Sequence, residues 1–137
     1  MKKKKLGFIL SFVLVALIAV GALSGCNDDE SPDGVINIGE GATVFKFEVT
    51  DNTGNVTAWN VSTNQKTVGA ALLETELIKG DESDWGLMVS TVNGLLADYS
   101  VDLSWWAFYI DGEMAVTGVD TTDIEPGGTY AFVYTID

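Results

Sequence analysis

Aromatic rings are the groups in this 137-residue chain best suited to holding another molecule. Trp105, Trp106, Phe108 and Tyr109 crowd a single stretch, and Tyr130, Phe132 and Tyr134 follow behind Gly127-Gly128. Large flat side chains bury wide apolar areas and stack on flat partners, so such a cluster suits capture of a planar or bulky solute. Covalent chemistry has far less to work with. The chain has no histidine and one cysteine, Cys26, which removes Ser-His-Asp and Cys-His nucleophilic sites and His-ligated zinc. Asp120 and Asp123 could be imagined as an acid and a base. With 20 acidic residues a close pair arises by chance, and the expectation is a protein that is not an enzyme and requires no cofactor. The glycines fall at turns, and none forms a phosphate-cradling loop.

One further constellation has metal-ligand spacing. Asp29, Ser31, Asp33, Gly34, Asn37 and Glu40 match the spacing of an EF-hand calcium loop. That loop needs a helix on each side, and the residues before it offer none, so no metal is expected there.

Cys26 closes a segment with a different purpose. Lys2 to Lys5 precede the apolar run Leu6 to Val20, and the small residues end in Leu23-Ser24-Gly25-Cys26. These are the parts of an export signal, and the ending resembles the bacterial lipobox, in which the cysteine is lipidated and the peptide is cut before it. A plain membrane span is the alternative, since Leu6 to Leu23 is just long enough. As the lone cysteine, Cys26 allows no internal disulfide, and acyl chains at ~0.8 kcal/mol per buried CH2 would hold the domain to a membrane. Residues 1–25 are therefore expected as the signal, 26–41 as a flexible acidic spacer and 42–137 as the folded domain, outside the cytoplasm on the face of a bacterial membrane.

Removal of the leader takes four of the seven lysines and leaves all the acidic residues, a formal charge of −17. Such a surface repels nucleic acid and anionic lipid heads, so no nucleic-acid partner is expected.

The elements that must position the rings follow from the hydrophobic periodicity. Ala42 to Thr50 alternates, with Phe45, Phe47 and Val49 on one side. Asp51 to Asn55 turns, and Val56 to Thr63 returns as a hairpin. Thr67 as N-cap and Gly80 as stop delimit a helix of about three turns, burying Val68, Ala71, Leu72 and Ile78. Asp81 to Asp84 is predicted as an acidic loop, Trp85 to Val92 as a strand, Asn93-Gly94 as a tight turn and Leu95 to Tyr99 as a short return. Two aromatic strands end the chain. Trp59 and Trp85 are expected to pack in the core or along an edge. Trp105 and Tyr109 share one side of their strand, opposite Trp106 and Phe108. They either cover the second face of the sheet or form a solvent-facing platform. The economical fold is α+β: a β-grasp-like mixed sheet of about five strands with one helix on one face.

From Thr67 onward the pattern resembles the bacterial DUF4430 family. The resemblance is carried by Thr67-Val68 with Ala71-Leu72, Val92-Asn93-Gly94, the run Trp105 to Gly112, Gly118-Val119-Asp120, and Glu125 to Tyr130. Gly127-Gly128 departs from relatives that carry an acidic residue beside the glycine. That domain is similar to the C-terminal β-domain of transcobalamin and intrinsic factor. The resemblance implies a β-grasp fold and binding of cobalamin or a related corrinoid, with a second chain or an uptake transporter supplying the half of the site that a helical barrel provides in those carriers. Trp105, Tyr109, Asp111, Asn93 and Asp120 are the candidate ligand-binding residues. The competing expectation is an adhesion or assembly module that recruits a protein through a sheet edge or the acidic surface.

Overall fold

A computed structural model of the chain describes residues 34–137. The expected leader, Cys26 and the first part of the spacer lie outside the described residues.

The alternating segments form the hairpin they predict. β2 (Thr43–Thr50) and β3 (Val56–Thr63) pair antiparallel, opposing Phe45 to Val61 and Phe47 to Trp59. The Asp51 carboxylate closes the turn, accepting from the Thr53 hydroxyl and N–H at 2.8 Å each and from the Asn55 N–H at 3.0 Å. These donors favour the charged form, the Thr53 hydroxyl most, and hold the carboxyl below its ordinary value. A depressed folded pKa contributes stability above the ordinary carboxylate pKa, and that contribution is lost as pH falls through the folded value.

β9 (Thr129–Ile136) lies parallel to β2, and β7 (Ser104–Ile110) runs antiparallel to β9. β8 (Glu113–Met114) flanks β7 at one border, and β1 (Ile36–Gly39) pairs parallel with β3 at the other. The main sheet thus has six strands, in the order β1-β3-β2-β9-β7-β8, against the five expected. Neither β1 nor β8 was among the expected strands, whereas the strand expected from Trp85 to Val92 is not in this sheet; β1 comes from residues 36–39, inside the stretch expected as spacer. Its Ile36 and Ile38 pack against the core, which a purely polar spacer would not do.

A second sheet joins β4 (Ile78–Ser83), β5 (Gly86–Val92) and β6 (Leu95–Leu96). Asp81 to Ser83, expected in a loop, are strand residues paired with Met88, Leu87 and Gly86. Backbone bonds to β5 hold them in place although their side chains are exposed. Asn93 and Gly94 adopt positive φ of 50° and 81°, the conformation a two-residue hairpin turn requires, as expected.

α1 (Val68–Glu74) starts at Thr67, whose hydroxyl accepts from Ala70 N–H at 3.2 Å. It stops a turn earlier than predicted. Leu77 N–H donates to Leu72 O (2.9 Å) and Glu76 N–H to Leu73 O (3.0 Å), the paired bonds of a Schellman end, with Glu76 left-handed at φ 62°. Ile78 is buried as predicted, but from β4 rather than from the helix. Glu76→Gly should therefore raise the unfolding free energy by about 0.5–1 kcal/mol, because glycine adopts this φ without steric cost. Urea denaturation showing a lower midpoint for the variant would refute that account. A one-turn helix α2 (Tyr99–Asp102) and a 3-10 turn (Val119–Thr121) complete the described elements.

The core lies between the main sheet, α1 and the second sheet. Phe45 meets Tyr130 edge-on at 5.5 Å, Phe47 packs on Trp59 at 5.6 Å, and Phe108 on Phe132 at 5.1 Å. Trp59 is buried as expected. Trp85 is not: it is 89 % exposed, because it occupies the β4–β5 turn, where no strand packs over it. Among the described residues no helix is long and apolar enough to cross a membrane.

Candidate functional site

One concave apolar surface of the domain is a cleft of about 220 Å³ between β5 and β7. Leu87, Met88 and Val89 form one wall, β7 from Trp105 to Phe108 the other, Phe132 contributes to the lining, and Gly118-Val119 close an end. The sequence places these groups together through two turns. The tight Asn93-Gly94 turn and α2 bring the chain from β5 back into β7, and the loop after β8 returns Gly118 to the mouth.

Asp120 ties the two rims. Its carboxylate accepts from the Leu87 N–H at 3.2 Å. A Cβ at Gly86 would sit 3.2 Å from the same carboxylate and one at Gly118 only 3.0 Å away, so glycine at both positions lets the β4–β5 hairpin and the Gly118 turn close on it. Asp120→Ala should cost about 1–2 kcal/mol, since the Leu87 N–H loses its partner. It should also speed exchange of that amide; unchanged exchange would show that the carboxylate does not hold the hairpin.

The other candidate residues do not converge on the cleft as a group. Trp105 and Tyr109 share the face of β7 that points away from the core, both half-buried, with a fully buried Ala107 between them. The Trp105 indole N–H donates to Asp137 at 3.1 Å, and the Tyr99 hydroxyl donates to the same carboxylate at 2.9 Å. That bond and the carboxylate charge raise the Tyr99 hydroxyl pKa. Asp111, left-handed at φ 50°, accepts from Thr129 N–H at 3.0 Å beside the start of β9. Asn93 borders Asp51 and Asn52, just past the end of β2, and its N–H donates to Leu77 O at 2.8 Å. Since β2 and β9 are parallel, Asp111 and Asn93 stand at opposite ends of the sheet. Asn37 of the calcium-like spacing is a β1 residue whose side chain accepts from Asn60 at 3.0 Å.

Sequence reasoning missed the apolar residues near the mouth. Met88 is 57 % exposed, and Leu87 and Val89 on either side of it are only partly buried. The available signal was Leu87-Met88-Val89, an unbroken apolar run that cannot hide both of its faces in a hairpin with one buried side.

The family profile described as "Domain of unknown function (DUF4430)" matches residues 65–135. The chain belongs to the DUF4430 family. The matched span runs from just before α1 into β9, and so contains both walls of the cleft and Asp120. No curated protein matches the chain. Among solved structures, the domain is similar to a protein from Ruminococcus gnavus ATCC 29149 presumed to bind metal, at TM-score 0.67 and 23 % identity, covering 70 % of this chain and 99 % of that one. It is also similar to haptocorrin in complex with Cbi, at TM-score 0.56 and 19 % identity, covering 69 % of this chain and 25 % of that one. At these identities the likeness is one of fold. Among the described residues no group of three or more Cys, Asp or Glu is arranged to hold a metal ion.

Proposed function

We propose that this DUF4430 protein is a non-catalytic binding module, held by lipid on Cys26 at the outer face of a bacterial membrane, that captures cobalamin or a related corrinoid. The observation that carries the reading is the open apolar cleft between β5 and β7, on a fold similar to that of haptocorrin, which was solved with Cbi. The arrangement of one principal helix on a mixed sheet is of β-grasp type. Ligand pockets that enclose a whole molecule measure roughly 300–1,000 Å³, and this cleft is smaller and open. It grips one side of a large flat ligand, and a second chain, such as an uptake transporter, completes the site.

Apolar walls fit this task. Leu87, Met88 and Val89 offer van der Waals contact to a ring edge, and Asp120 keeps that wall at a fixed distance from the Gly118 turn. Trp105 also lines the cleft, so occupancy has an optical signal.

Titration of the full chain with cobalamin, followed by tryptophan fluorescence, should give saturable quenching. Met88→Asp should weaken the affinity at least about tenfold, the effect of ~1.4 kcal/mol. A flat titration up to the solubility limit of the corrinoid would overturn capture by this chain. Fatty-acid labelling that persists in Cys26→Ala would overturn the anchor.

A further inference from the structure

The edge of β7 that lines the cleft is an unpaired strand edge. Asp111 N–H donates to Thr129 O at 2.7 Å and Asp137 N–H to Leu103 O at 3.0 Å, which fixes the hydrogen-bonding phase of the β7–β9 ladder. In an antiparallel pair such bonds recur at alternate residues. Trp105, Ala107 and Tyr109 therefore turn their backbone groups toward β9, whereas Ser104, Trp106 and Phe108 turn theirs outward. On that outward side Phe108 O accepts from Ala115 N–H at 2.9 Å, and Ser104 N–H donates to the Asp102 carboxylate at 3.1 Å. The Ser104 carbonyl, both backbone groups of Trp106 and the Phe108 N–H have no partner among the described residues. β8 covers β7 only at Tyr109 and Ile110. Ser104 itself is buried at 1 % exposed, so the part of the edge that stays open along the cleft runs from Trp106 to Phe108, roughly 7 Å at the usual strand rise.

Acceptor and donor groups alternating at this spacing are the complement of an extended backbone. The neighbouring hairpin sets the charge of the occupant. Asp81, Glu82 and Asp84 are exposed on it, and among the described residues the cationic side chains are Lys46, Lys66 and Lys79, with Lys66 ion-paired to Asp123 at 2.9 Å. We propose that the Trp106–Phe108 edge of β7 takes up a short extended, apolar segment with basic flanks, from a partner protein, as an added strand. Leu87, Met88 and Val89 receive side chains of that segment, and the acidic hairpin receives its flanks. The inference goes beyond the corrinoid reading and does not rest on it, because the unpaired backbone groups of β7 are there whether or not the apolar walls hold a corrinoid.

Amide exchange in the full chain, read by NMR, tests this directly. In the free protein the Trp106 and Phe108 amides should exchange at least about tenfold faster than those of Trp105, Ala107 and Tyr109, as expected for N–H groups outside the ladder. The probe is an acetylated, amidated peptide, Lys-Val-Thr-Val-Lys. Its addition should slow the Trp106 and Phe108 amides selectively and saturably. A copy N-methylated at alternate residues should bind at least about tenfold more weakly, and a copy with glutamates for lysines likewise. Equal protection of all five amides in the free protein would show the edge to be closed and overturn the proposal. So would unchanged exchange at about 1 mM peptide, or equal binding of the N-methylated copy.

Discussion

Phe47→Ala is expected to lower the unfolding free energy by about 3–5 kcal/mol, the usual cost of emptying a fully buried aromatic site. Phe47 has no exposed surface and sits at the crossing of three strands, opposite Trp59 on β3 and Tyr130 on β9. Its ring contacts the Trp59 ring at 5.6 Å and meets Phe132 edge-on at 6.2 Å, so truncation removes aromatic contacts on both sides as well as buried area. Neighbours on regular strands cannot move far to fill the space, which places the cost toward the upper end. Typical domains hold only about 5–15 kcal/mol in total, so the variant should lose a large share of its stability. Equilibrium urea denaturation measures the loss. A loss under 1 kcal/mol would mean that the sheet does not pack as described.

Gly69→Ala is expected to destabilise, although helix propensity alone favours the alanine by about 1 kcal/mol. Gly69 is buried in the first turn of α1. A Cβ there would lie 2.8 Å from the Asp120 Cα and 3.0 Å from both the Asp120 N and the Val119 O. Those atoms belong to backbone and cannot swing aside, so the 3-10 turn must move as a unit. Overpacking of this kind costs typically 1–3 kcal/mol, which outweighs the propensity gain. The displacement also pulls Asp120 from the Leu87 N–H. Gly69→Ala should thus loosen the β4–β5 hairpin, shift the Val119 end of the cleft and weaken cobalamin capture, although Gly69 itself does not line the cleft. A variant more stable than the parent, with the Leu87 amide still protected, would show that α1 does not press on the turn.

Much of the fold was legible because burial leaves a periodic trace. Phe45, Phe47 and Val49 alternate with polar residues, and β2 forms where they predict. Thr67 and Asn93-Gly94 carry local chemistry that fixes a helix start and a turn wherever they occur. Other features left no such trace. α1 ends on Glu76, a residue without the glycine signature of a left-handed stop, so the apolar spacing through Ile78 extended the predicted helix too far. The second half of β4 was read as a loop because Asp81 and Glu82 are charged, yet a strand needs only backbone partners, and the β5 backbone supplies them. β1 was hidden in a polar spacer for the same reason.

The candidate site was less legible than the fold. Trp105 and Tyr109 were correctly set on one side of their strand, but their spacing says nothing of what lies across from it. Leu87, Met88 and Val89 line the cleft, and their unbroken apolar run shows that one face is left over without showing what it borders, since exposure depends on what other segments leave uncovered.

The sequence by itself determined the acidic charge, the lack of histidine chemistry, the aromatic strands, the turns and the family. Each is a property of residues or of near neighbours, where side-chain type and spacing are enough. The tertiary structure alone decided that β9 inserts between β2 and β7, that Asp120 clasps the hairpin, and that one edge of β7 faces an apolar cleft. These depend on pairing between distant backbone segments, and backbone groups are the same in every residue that could have occupied those places.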